Sequence, residues 1–315
     1  MRDLRIVFMG TPDFAVETLK TILENNYNVV GVITAPDRPA GRGRKLKASA
    51  VKEYALSKNL KILQPTNLKD ESFINELKAL EPNLNVVVAF RMLPKVVWNL
   101  PEYGTFNLHA SLLPDYRGAA PINWSIINGE QKTGVTTFFI DEKIDTGHVI
   151  FQKEVEISEN DTAGILHDKL MREGAKLVIQ TLQGIEKDTI EVQPQPKEDT
   201  FKTAYKLNRD NTKINWQADI NIINNLIRGL SPYPSAWCEL YNNGTSQSIK
   251  IYEASPIIET HNFEIGKIIV EDSIIKVAVR EGYLYIKKLQ LPGKKIMDSQ
   301  ALLNGYNFYR DAKMM

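Results

Sequence analysis

The stretch F-N-L-H-A-S-L-L-P-D-Y-R-G-A-A-P, residues 106–121, places Asn107 and His109 two positions apart at the end of an apolar segment that is typical of a strand. Because side chains alternate along a strand, both residues point to the same face of the sheet. Open sheets of parallel strands bind their ligands beyond the carboxyl ends of the strands. The pair therefore predicts a functional site at the carboxyl end of this strand.

The residue types at this site indicate a class of chemistry. Attack of an amine on a carbonyl carbon requires a donor for the developing oxyanion, a base that works near neutral pH and a carboxylate that orients or charges that base. Asn107 and His109 supply the first two groups, and Asp145, in a D-T-G turn farther along the chain, supplies the third. No two of the four histidines have the spacing of metal ligands, so we predict no bound metal.

The first half of the chain alternates short apolar runs with segments of helical periodicity, which predicts an α/β fold with a Rossmann-like, mostly parallel sheet. The predicted strands are Leu4–Met9, Asn28–Thr34, Lys61–Leu63, Leu84–Ala89, Thr105–Leu108 and Val135–Ile140. The predicted helices are Phe14–Glu24, Ser49–Lys58, Glu71–Leu80, Pro121–Ile127 and Thr162–Leu182, with Ser49 and Asp161 as expected N-caps. The turn G-T-P-D-F after the first strand lacks the further glycines of a dinucleotide-binding motif, which argues against a dinucleotide enzyme.

The second half has a different pattern. One helical segment, Asn221–Gly229, is followed by short strands at regular spacing, which predict a small OB-like β-barrel. The predicted strands are Ala236–Tyr241, Ser248–Glu253, Gly266–Val270, Ile274–Val279 and Tyr283–Leu289. A charged, proline-bearing segment between the halves predicts a linker. We therefore expect a catalytic domain at 1–188, a linker at 189–207 and a C-terminal β-barrel domain at 208–315.

Composition and charge restrict the function further. With 315 residues, of which 43% are hydrophobic and 24% charged, the chain can bury two cores. A formal net charge of +1 excludes a broadly basic surface, so any contact with RNA has to come from a local patch. The single cysteine, Cys238, excludes an internal disulfide. The N-terminal apolar run is too short for a signal peptide or a membrane span, so we expect a cytoplasmic protein without a membrane contact.

One segment does carry a basic patch. Residues 37–47, D-R-P-A-G-R-G-R-K-L-K, hold five cations and one anion, a local charge of +4. Glycines with clustered arginines suit contact with phosphate groups. Because the segment follows the second strand, we expect it to overhang the sheet edge that carries Asn107 and His109. We predict that it binds a phosphodiester, through Arg38, Arg42, Arg44 and Lys45.

Taken together, these motifs resemble the methionyl-tRNA formyltransferases, within the folate-dependent formyltransferase family. N-L-H-A-S-L-L-P-x-Y-R-G-A-A-P-I at 107–122 and I-D-T-G at 144–147 are similar to the core of the family. Further signatures are G-T-P-D-F-A at 10–15, A-P-D-R-P-A-G-R-G at 35–43, K-I-N-W at 213–216 and R-G-L-S-P-Y-P-S-A-W at 228–237. The resemblance covers nearly the whole chain. The P-D-R-P-A-G-R-G and S-P-Y-P-S-A-W segments are the ones that point to a tRNA acceptor.

The resemblance implies that the α-amine of initiator methionyl-tRNA attacks the formyl carbon of 10-formyltetrahydrofolate, a co-substrate, so that no cofactor stays bound. Asn107 would donate to the oxyanion, His109 would polarise the carbonyl and relay protons, and Asp145 would hold His109. One wall of the folate site would be formed by Ser111, Leu112, Leu113 and Pro114. The basic loop would grip the acceptor end of the tRNA through Arg42, with help from Arg38, Arg44 and Lys45. The barrel would also bind tRNA, and we expect a monomer.

One departure from the family pattern and several alternatives stay open. In the family, the strand that ends at Ala89 usually leads into a glycine-bearing turn, expected to line the pterin pocket, whereas this chain has F-R-M-L-P at 90–94. The anion that meets the basic loop could instead be the glutamate tail of a folate. Alternative activities are formyl transfer to a small amine, such as a sugar nucleotide or glycinamide ribonucleotide, and hydrolysis of the formyl group. A non-enzymatic alternative is an RNA-binding module.

Overall fold

A computed structural model describes residues 1–40, 45–196 and 200–315. The helices over these residues are α1 Asp13–Glu24, α2 Ala50–Ser57, α3 Glu71–Ala79, α4 Lys95–Trp98, α5 Pro121–Ile127, α6 Ala163–Lys187, α7 Ile220–Leu230 and α8 Ser299–Leu303. The strands are β1 Arg5–Gly10, β2 Asn28–Ile33, β3 Arg38–Ala40, β4 Lys45–Lys47, β5 Ile62–Leu63, β6 Leu84–Val88, β7 Thr105–His109, β8 Arg117–Gly118, β9 Lys132–Phe139, β10 Val149–Glu156, β11 Thr203–Ala204, β12 Ala236–Asn242, β13 Thr245–Ile258, β14 Ile268–Glu271, β15 Ile274–Val279, β16 Gly282–Gln290, β17 Met297–Asp298 and β18 Lys313–Met314. Each of the helices in these described ranges is too short or too polar to span a lipid bilayer.

The chain forms two compact units that are not continuous in sequence. The first unit consists of Met1–Gly118, Thr133–Glu156 and His167–Thr203. The second consists of Ala119–Lys132, Ile157–Leu166 and Ala204–Met315. The second unit takes up two segments from within residues 1–188, and the division at 188 and 207 stays a prediction.

The first unit is built around a seven-stranded sheet in the order β10-β9-β7-β6-β1-β2-β5. The pairs from β7 to β5 are parallel, whereas β9 runs antiparallel to β7. The chain moves outward from β1 to β5 and then returns to β6 on the other side of β1. Such a reversal leaves a crevice at the carboxyl ends of β1 and β6. All five residues of β6 are buried, as expected for a central parallel strand covered on both faces.

The second unit contains a curled antiparallel sheet in the order β14-β15-β16-β13-β12-β18, with β17 paired to β16. The sheet bends back on itself, because the backbone N–H of Met314 donates to the carbonyl of Gly266 at 2.8 Å. Helix α7 packs against this sheet with a stripe at helical spacing, Ile220, Ile223, Ile227 and Leu230, all fully buried. The prediction of a mostly parallel α/β unit and a small β-barrel is therefore confirmed.

Strand β10 and the N-cap of α6 are among the local features that differ from the sequence-based expectation. Strand β10, at the edge of the sheet, was not predicted, because its apolar run covers only residues 149–151 and the strand is largely exposed. Asp161 was predicted as the N-cap of α6, but its carboxylate accepts from the N–H of Ser158 at 2.8 Å. The hydroxyl of Thr162 accepts from the N–H of Ile165 at 3.3 Å, so Thr162 is the residue that caps α6. The Ser49 cap of α2 is confirmed, because its hydroxyl accepts from the N–H of Lys52 at 3.0 Å.

Cys238 is a packing residue of the barrel core. The side chain is fully buried, and burial raises the pKa of its thiol to about 12. Because the thiolate is the reactive form, we expect iodoacetamide at pH 8 to leave Cys238 unmodified in the folded protein and to alkylate it in urea. Mass spectrometry of the two samples checks this prediction. Rapid labelling of the folded protein would contradict the buried position.

Candidate active site

Asn107 and His109 lie at the carboxyl end of β7, on the same face, as strand alternation predicts. Asn107 pairs with Val87 of β6 and with Phe138 of β9. His109 pairs with Thr136 of β9. Because β7 is parallel to β6, its carboxyl end lies at the edge of the sheet where the order of the strands reverses. The fold therefore brings both side chains to the ligand-binding edge.

The Asn107 side chain is available to a ligand. It is partly exposed, and within the described part of the chain it has no hydrogen-bond partner. A carboxamide carries two N–H donors and one acceptor oxygen. Asn107 can therefore donate to an oxygen atom that enters this edge of the sheet without first breaking an internal bond.

His109 is buried, with 6% of its surface exposed, and one of its ring nitrogens is already used. Nε2 lies 2.9 Å from the carbonyl oxygen of Tyr116. A carbonyl only accepts, so Nε2 carries a hydrogen and donates it. Nδ1 lies 3.9 Å from Oδ2 of Asp145, within the range of an ion pair but longer than a hydrogen bond. Nδ1 is therefore the nitrogen that can take up a proton, and a proton there faces a carboxylate.

Asp145 lies on a turn whose backbone is unusual for a residue with a side chain. Its φ is +54°, in the left-handed region that aspartate tolerates better than most residues. Its Oδ2 accepts from the N–H of Gly118 at 3.0 Å. The turn is closed by Asp141, whose Oδ1 accepts from the N–H of Lys143 at 2.9 Å and from the hydroxyl of Thr146 at 2.8 Å. These bonds bring the Asp145 carboxylate to His109 from a distant part of the sequence.

The site thus combines a free amide donor, an imidazole and a carboxylate on one edge of the sheet. These groups can stabilise negative charge on an attacked carbonyl oxygen and can hold a proton. In the described ranges, no group of three or more His, Cys, Asp and Glu side chains is arranged to hold a metal ion. That this site works without a metal remains a prediction.

The S-L-L-P run after His109 is fixed to β9 and β10 through its backbone. The hydroxyl of Thr136 donates to the carbonyl of Ser111 at 2.6 Å and accepts from the N–H of Leu113 at 3.1 Å. The Gln152 amide donates to the carbonyl of Leu113 at 2.8 Å. Ser111 itself donates its hydroxyl to the carbonyl of Asp115 at 2.6 Å. The run is therefore a rigid wall beside the Asn107 and His109 pair.

The members of this wall differ in exposure. Ser111 and Leu113 are buried, whereas Leu112 and Pro114 are partly exposed. A folate in the crevice can therefore contact Leu112 and Pro114. Ser111 and Leu113 are buried and contribute to the packing of the wall. Contact of any of the four with folate stays a prediction.

The basic segment forms a β-hairpin on either side of the residues that the structure leaves undescribed. Strands β3 and β4 are antiparallel, with Arg38 opposite Lys47. Both side chains are exposed, and Lys47 was not among the cations predicted to bind tRNA. Arg42 and Arg44 lie outside the described residues, and only the backbone of Lys45 is described. The phosphate-binding role of this hairpin stays a prediction.

Asp37 anchors the base of this hairpin. Its Oδ1 accepts from the Gln64 amide at 2.9 Å, and its Oδ2 accepts from the Lys52 ammonium at 2.6 Å. These two hydrogen bonds, the one from Gln64 first, lower the pKa of Asp37. The only anion of the basic segment is thus bound to residues outside the segment and does not neutralise Arg38.

The turn after β6, where the chain departs from the family pattern, contains a residue in the left-handed conformation. Ala89 has a φ of +47°, a conformation that favours glycine. Arg91 donates to the carbonyls of Thr66, at 2.9 Å, and of Pro65. Met92 is 68% exposed. The turn is therefore held by a guanidinium, and the thioether of Met92 is free to contact a ligand.

Some residues that organise this site were not predicted from the sequence. Thr136 and Gln152 hold the S-L-L-P wall, and the Tyr116 carbonyl binds His109. Gln195 and Arg117 lie beside the turn of Asp145. Arg117 belongs to the Y-R-G motif, and its position in that motif is a signal from which its role in the site could have been predicted. Gln195 lies in a segment predicted as a linker, and no local pattern marks it.

Comparison with known proteins gives the family of the chain. A family model described as Formyl transferase matches residues 4–182, and one described as Formyl transferase, C-terminal domain, matches residues 206–307. WlaRD, a sugar 3N-formyl transferase whose crystal structure was determined in the presence of dTDP and 5-N-formyl-THF, has the same fold. It matches with a TM-score of 0.64 and 22% identity, over 94% of this chain and 100% of that chain.

Curated relatives are similar over the full length. The methionyl-tRNA formyltransferase of Flavobacterium johnsoniae is 61% identical over 314 residues, 100% of both chains. That of Bacteroides thetaiotaomicron is 50% identical, over 99% of this chain and 98% of its own length. With both domains matched and relatives this similar, the chain belongs to the formyl transferase family.

Proposed function

We propose that this protein transfers the formyl group of 10-formyltetrahydrofolate to the α-amine of initiator methionyl-tRNA, which produces the formylated tRNA for translation initiation. The observation that carries the proposal is the 61% identity, over the full length, to a methionyl-tRNA formyltransferase. The free donor of Asn107 next to His109 supports it, because attack of an amine on a formyl carbon needs these groups. Such a substrate also implies a cytoplasmic enzyme, and we expect it to act as a monomer.

In the proposed mechanism, the amine attacks the formyl carbon, and the carbonyl oxygen becomes an oxyanion. Asn107 donates an N–H to that oxygen. His109 takes up at Nδ1, which faces Asp145 at 3.9 Å, the proton that the attacking amine loses, so that positive charge develops near the oxyanion, and this proton then passes to N10. The tetrahedral intermediate then collapses, the bond from carbon to N10 breaks, and tetrahydrofolate leaves. Each step uses side chains of this chain and its two substrates.

The second unit offers a surface that suits the phosphates of a tRNA. A cavity of about 420 Å³ is lined by Arg209, Trp237 and Lys250, among others. The Arg209 guanidinium lies 3.9 Å above the Trp237 ring, and the Lys213 ammonium lies 5.5 Å from it. Within the part of the chain that the structure describes, these three cations form no salt bridge with a carboxylate. Cations that have no carboxylate partner and lie beside an aromatic ring are the elements that bind single nucleotides and backbone phosphates.

Other cations of the barrel are neutralised by a partner. Lys276 pairs with Glu271 at 3.1 Å, and Lys288 pairs with Glu253 at 2.7 Å. The basic residues of the barrel are therefore not equivalent. We propose that the cluster of Arg209, Lys213 and Lys250 carries the contact of this unit with tRNA.

Replacing Arg209 with alanine should weaken tRNA binding. It should also reduce the magnitude of the slope of log K against log salt concentration by about 1, because binding then releases one counterion fewer. Filter binding at several salt concentrations measures both effects. Lys276→Ala is the matched control, since it changes the net charge equally but removes a cation that Glu271 already offsets. Equal losses in the two variants would contradict the role of the Arg209 cluster.

The proposed acceptor is tested by following the release of tetrahydrofolate from 10-formyltetrahydrofolate with different acceptors. The panel contains initiator methionyl-tRNA, uncharged tRNA, an amino sugar nucleotide, glycinamide ribonucleotide and buffer alone. We expect release only with the charged initiator tRNA. Release with a small amine would favour a small-molecule formyltransferase, and release in buffer would favour a hydrolase.

A further inference from the structure

The side chain of Gln195 makes hydrogen bonds at both ends of its amide, although the sequence pattern placed it in a linker. Its Nε2 donates to the carbonyl of Asp145 at 3.0 Å and to the carbonyl of Gly147 at 2.7 Å. Its Oε1 accepts from Nε of Arg117 at 3.1 Å and from Nη2 of the same guanidinium at 2.6 Å. Both N–H groups of one amide therefore bind the turn that carries Asp145.

Arg117 fixes which way the Gln195 amide points. A guanidinium only donates, so the atom that faces it has to be the amide oxygen, and the nitrogen then faces the turn. Arg117 is itself packed over the ring of Phe201, with 5.5 Å between the guanidinium carbon and the ring centre. The orientation of the Gln195 amide is thus determined by several hydrogen bonds, from Arg117 to its oxygen and from its nitrogen to the turn.

A residue close to Gln195 in the sequence, Lys202, supports the His109 side of the site. Tyr116, whose carbonyl accepts from His109, donates its own N–H to the carbonyl of Lys202 at 2.6 Å. The N–H of Lys202 donates to the carboxylate of Asp115 at 3.0 Å. Two neighbouring positions of the chain therefore hold the two sides of the site. Gln195 binds the turn of Asp145, and Lys202 binds the loop whose Tyr116 carbonyl accepts the hydrogen bond from His109.

We propose that Gln195 is a positioning residue, which holds the Asp145 turn at the distance from His109 that the reaction requires. The proposal rests on the function proposed above, since it assumes that Asp145 and His109 take part in formyl transfer. Without the amide, the two carbonyls of the turn lose their donors. The turn then moves away from the ion-pair distance of 3.9 Å between Nδ1 of His109 and Oδ2 of Asp145.

The first test is the kinetics of Gln195→Ala and Gln195→Glu, with Gln193→Ala as the control. The glutamate variant keeps an oxygen for Arg117 but removes both N–H donors to the turn. The Gln193 side chain is exposed, and its bonds to Val149 use only the backbone. We expect both Gln195 variants to lower kcat on the order of 10²-fold, with the KM of each substrate little changed, and the control to behave like the wild type. Thermal unfolding is followed in parallel, and a Gln195→Glu protein that does not fold would contradict a positioning role.

The second test is a double-mutant cycle with Asp145→Asn, which shows whether Gln195 acts through Asp145. If it does, Gln195→Ala lowers kcat in the wild type and adds little in the Asp145→Asn background. An equal loss in both backgrounds, or no loss in either, would overturn the proposal for Gln195 alone. Normal turnover of Asp145→Asn itself would overturn the assignment of the site as well, so the two failures are distinguishable.

Discussion

Asn107→Ala lowers kcat for formyl transfer on the order of 10²- to 10³-fold, because the variant loses an oxyanion donor. The amide is partly exposed and has no internal partner in the described part of the chain, so the substitution breaks no bond that holds the fold. We therefore expect the free energy of unfolding to stay near that of the wild type. The measurement is kcat at saturating concentrations of both substrates, together with urea unfolding.

One further variant separates the donor from the shape of the side chain, and a variant at another position is the control. Asn107→Asp keeps the size but replaces the N–H donors with an anion, so we expect it to be at least as inactive as the alanine variant. Asn28→Ala is the control, since Asn28 is an exposed asparagine at the amino end of β2, at the opposite edge of the same sheet. Near-normal turnover of Asn107→Ala would contradict the site.

Gly147→Ala should disrupt the turn that carries Asp145. A Cβ at this position would lie 1.6 Å from the carbonyl oxygen of Phe139 and 2.8 Å from its carbon, and both are backbone atoms. The N–H of Phe139 also donates to the carbonyl of His148 at 3.0 Å, so the turn and the end of β9 are bonded to each other. The clash cannot be relieved by a rotamer change, and the backbone has to move. We expect a loss of about 3 kcal/mol in the free energy of unfolding and a large loss of kcat.

Gly305→Ala is the matched control for this prediction. A Cβ at Gly305 would meet no heavy atom within 4 Å. We expect this control to change the free energy of unfolding by less than about 0.5 kcal/mol. Urea unfolding of the two variants measures the difference, and similar midpoints would show that Gly147 does not need to be glycine.

Much of the fold and the centre of the site can be predicted from local patterns. Strand alternation is a property of the backbone, so the common face of Asn107 and His109 follows from their spacing alone. The helical spacing of Ile220, Ile223 and Ile227 likewise predicts the buried face of α7, because burial repeats with the turn of the helix. These features depend on residues that are close in sequence.

The features that sequence analysis missed depend on residues that are far apart in sequence. Gln195 binds a turn fifty residues earlier, and Thr136 binds the S-L-L-P wall twenty-five residues earlier. No periodicity signals such contacts, since a single polar side chain supplies each of them. The edge strand β10 was missed because its exposure leaves an apolar run of only three residues, 149–151, before a mostly polar stretch. The cap of α6 was wrong by one residue, since Asp161 uses its carboxylate within the preceding turn.

The most direct measurement of the central claim follows the formyl group itself. The protein is incubated with 10-formyltetrahydrofolate labelled in its formyl carbon and with initiator methionyl-tRNA, and the amino acid is then released from the tRNA by mild base. We predict that the label is recovered as N-formylmethionine, and that Asn107→Ala yields almost none in the same time. Label that remains on the folate, or that is released as formate, would contradict the account.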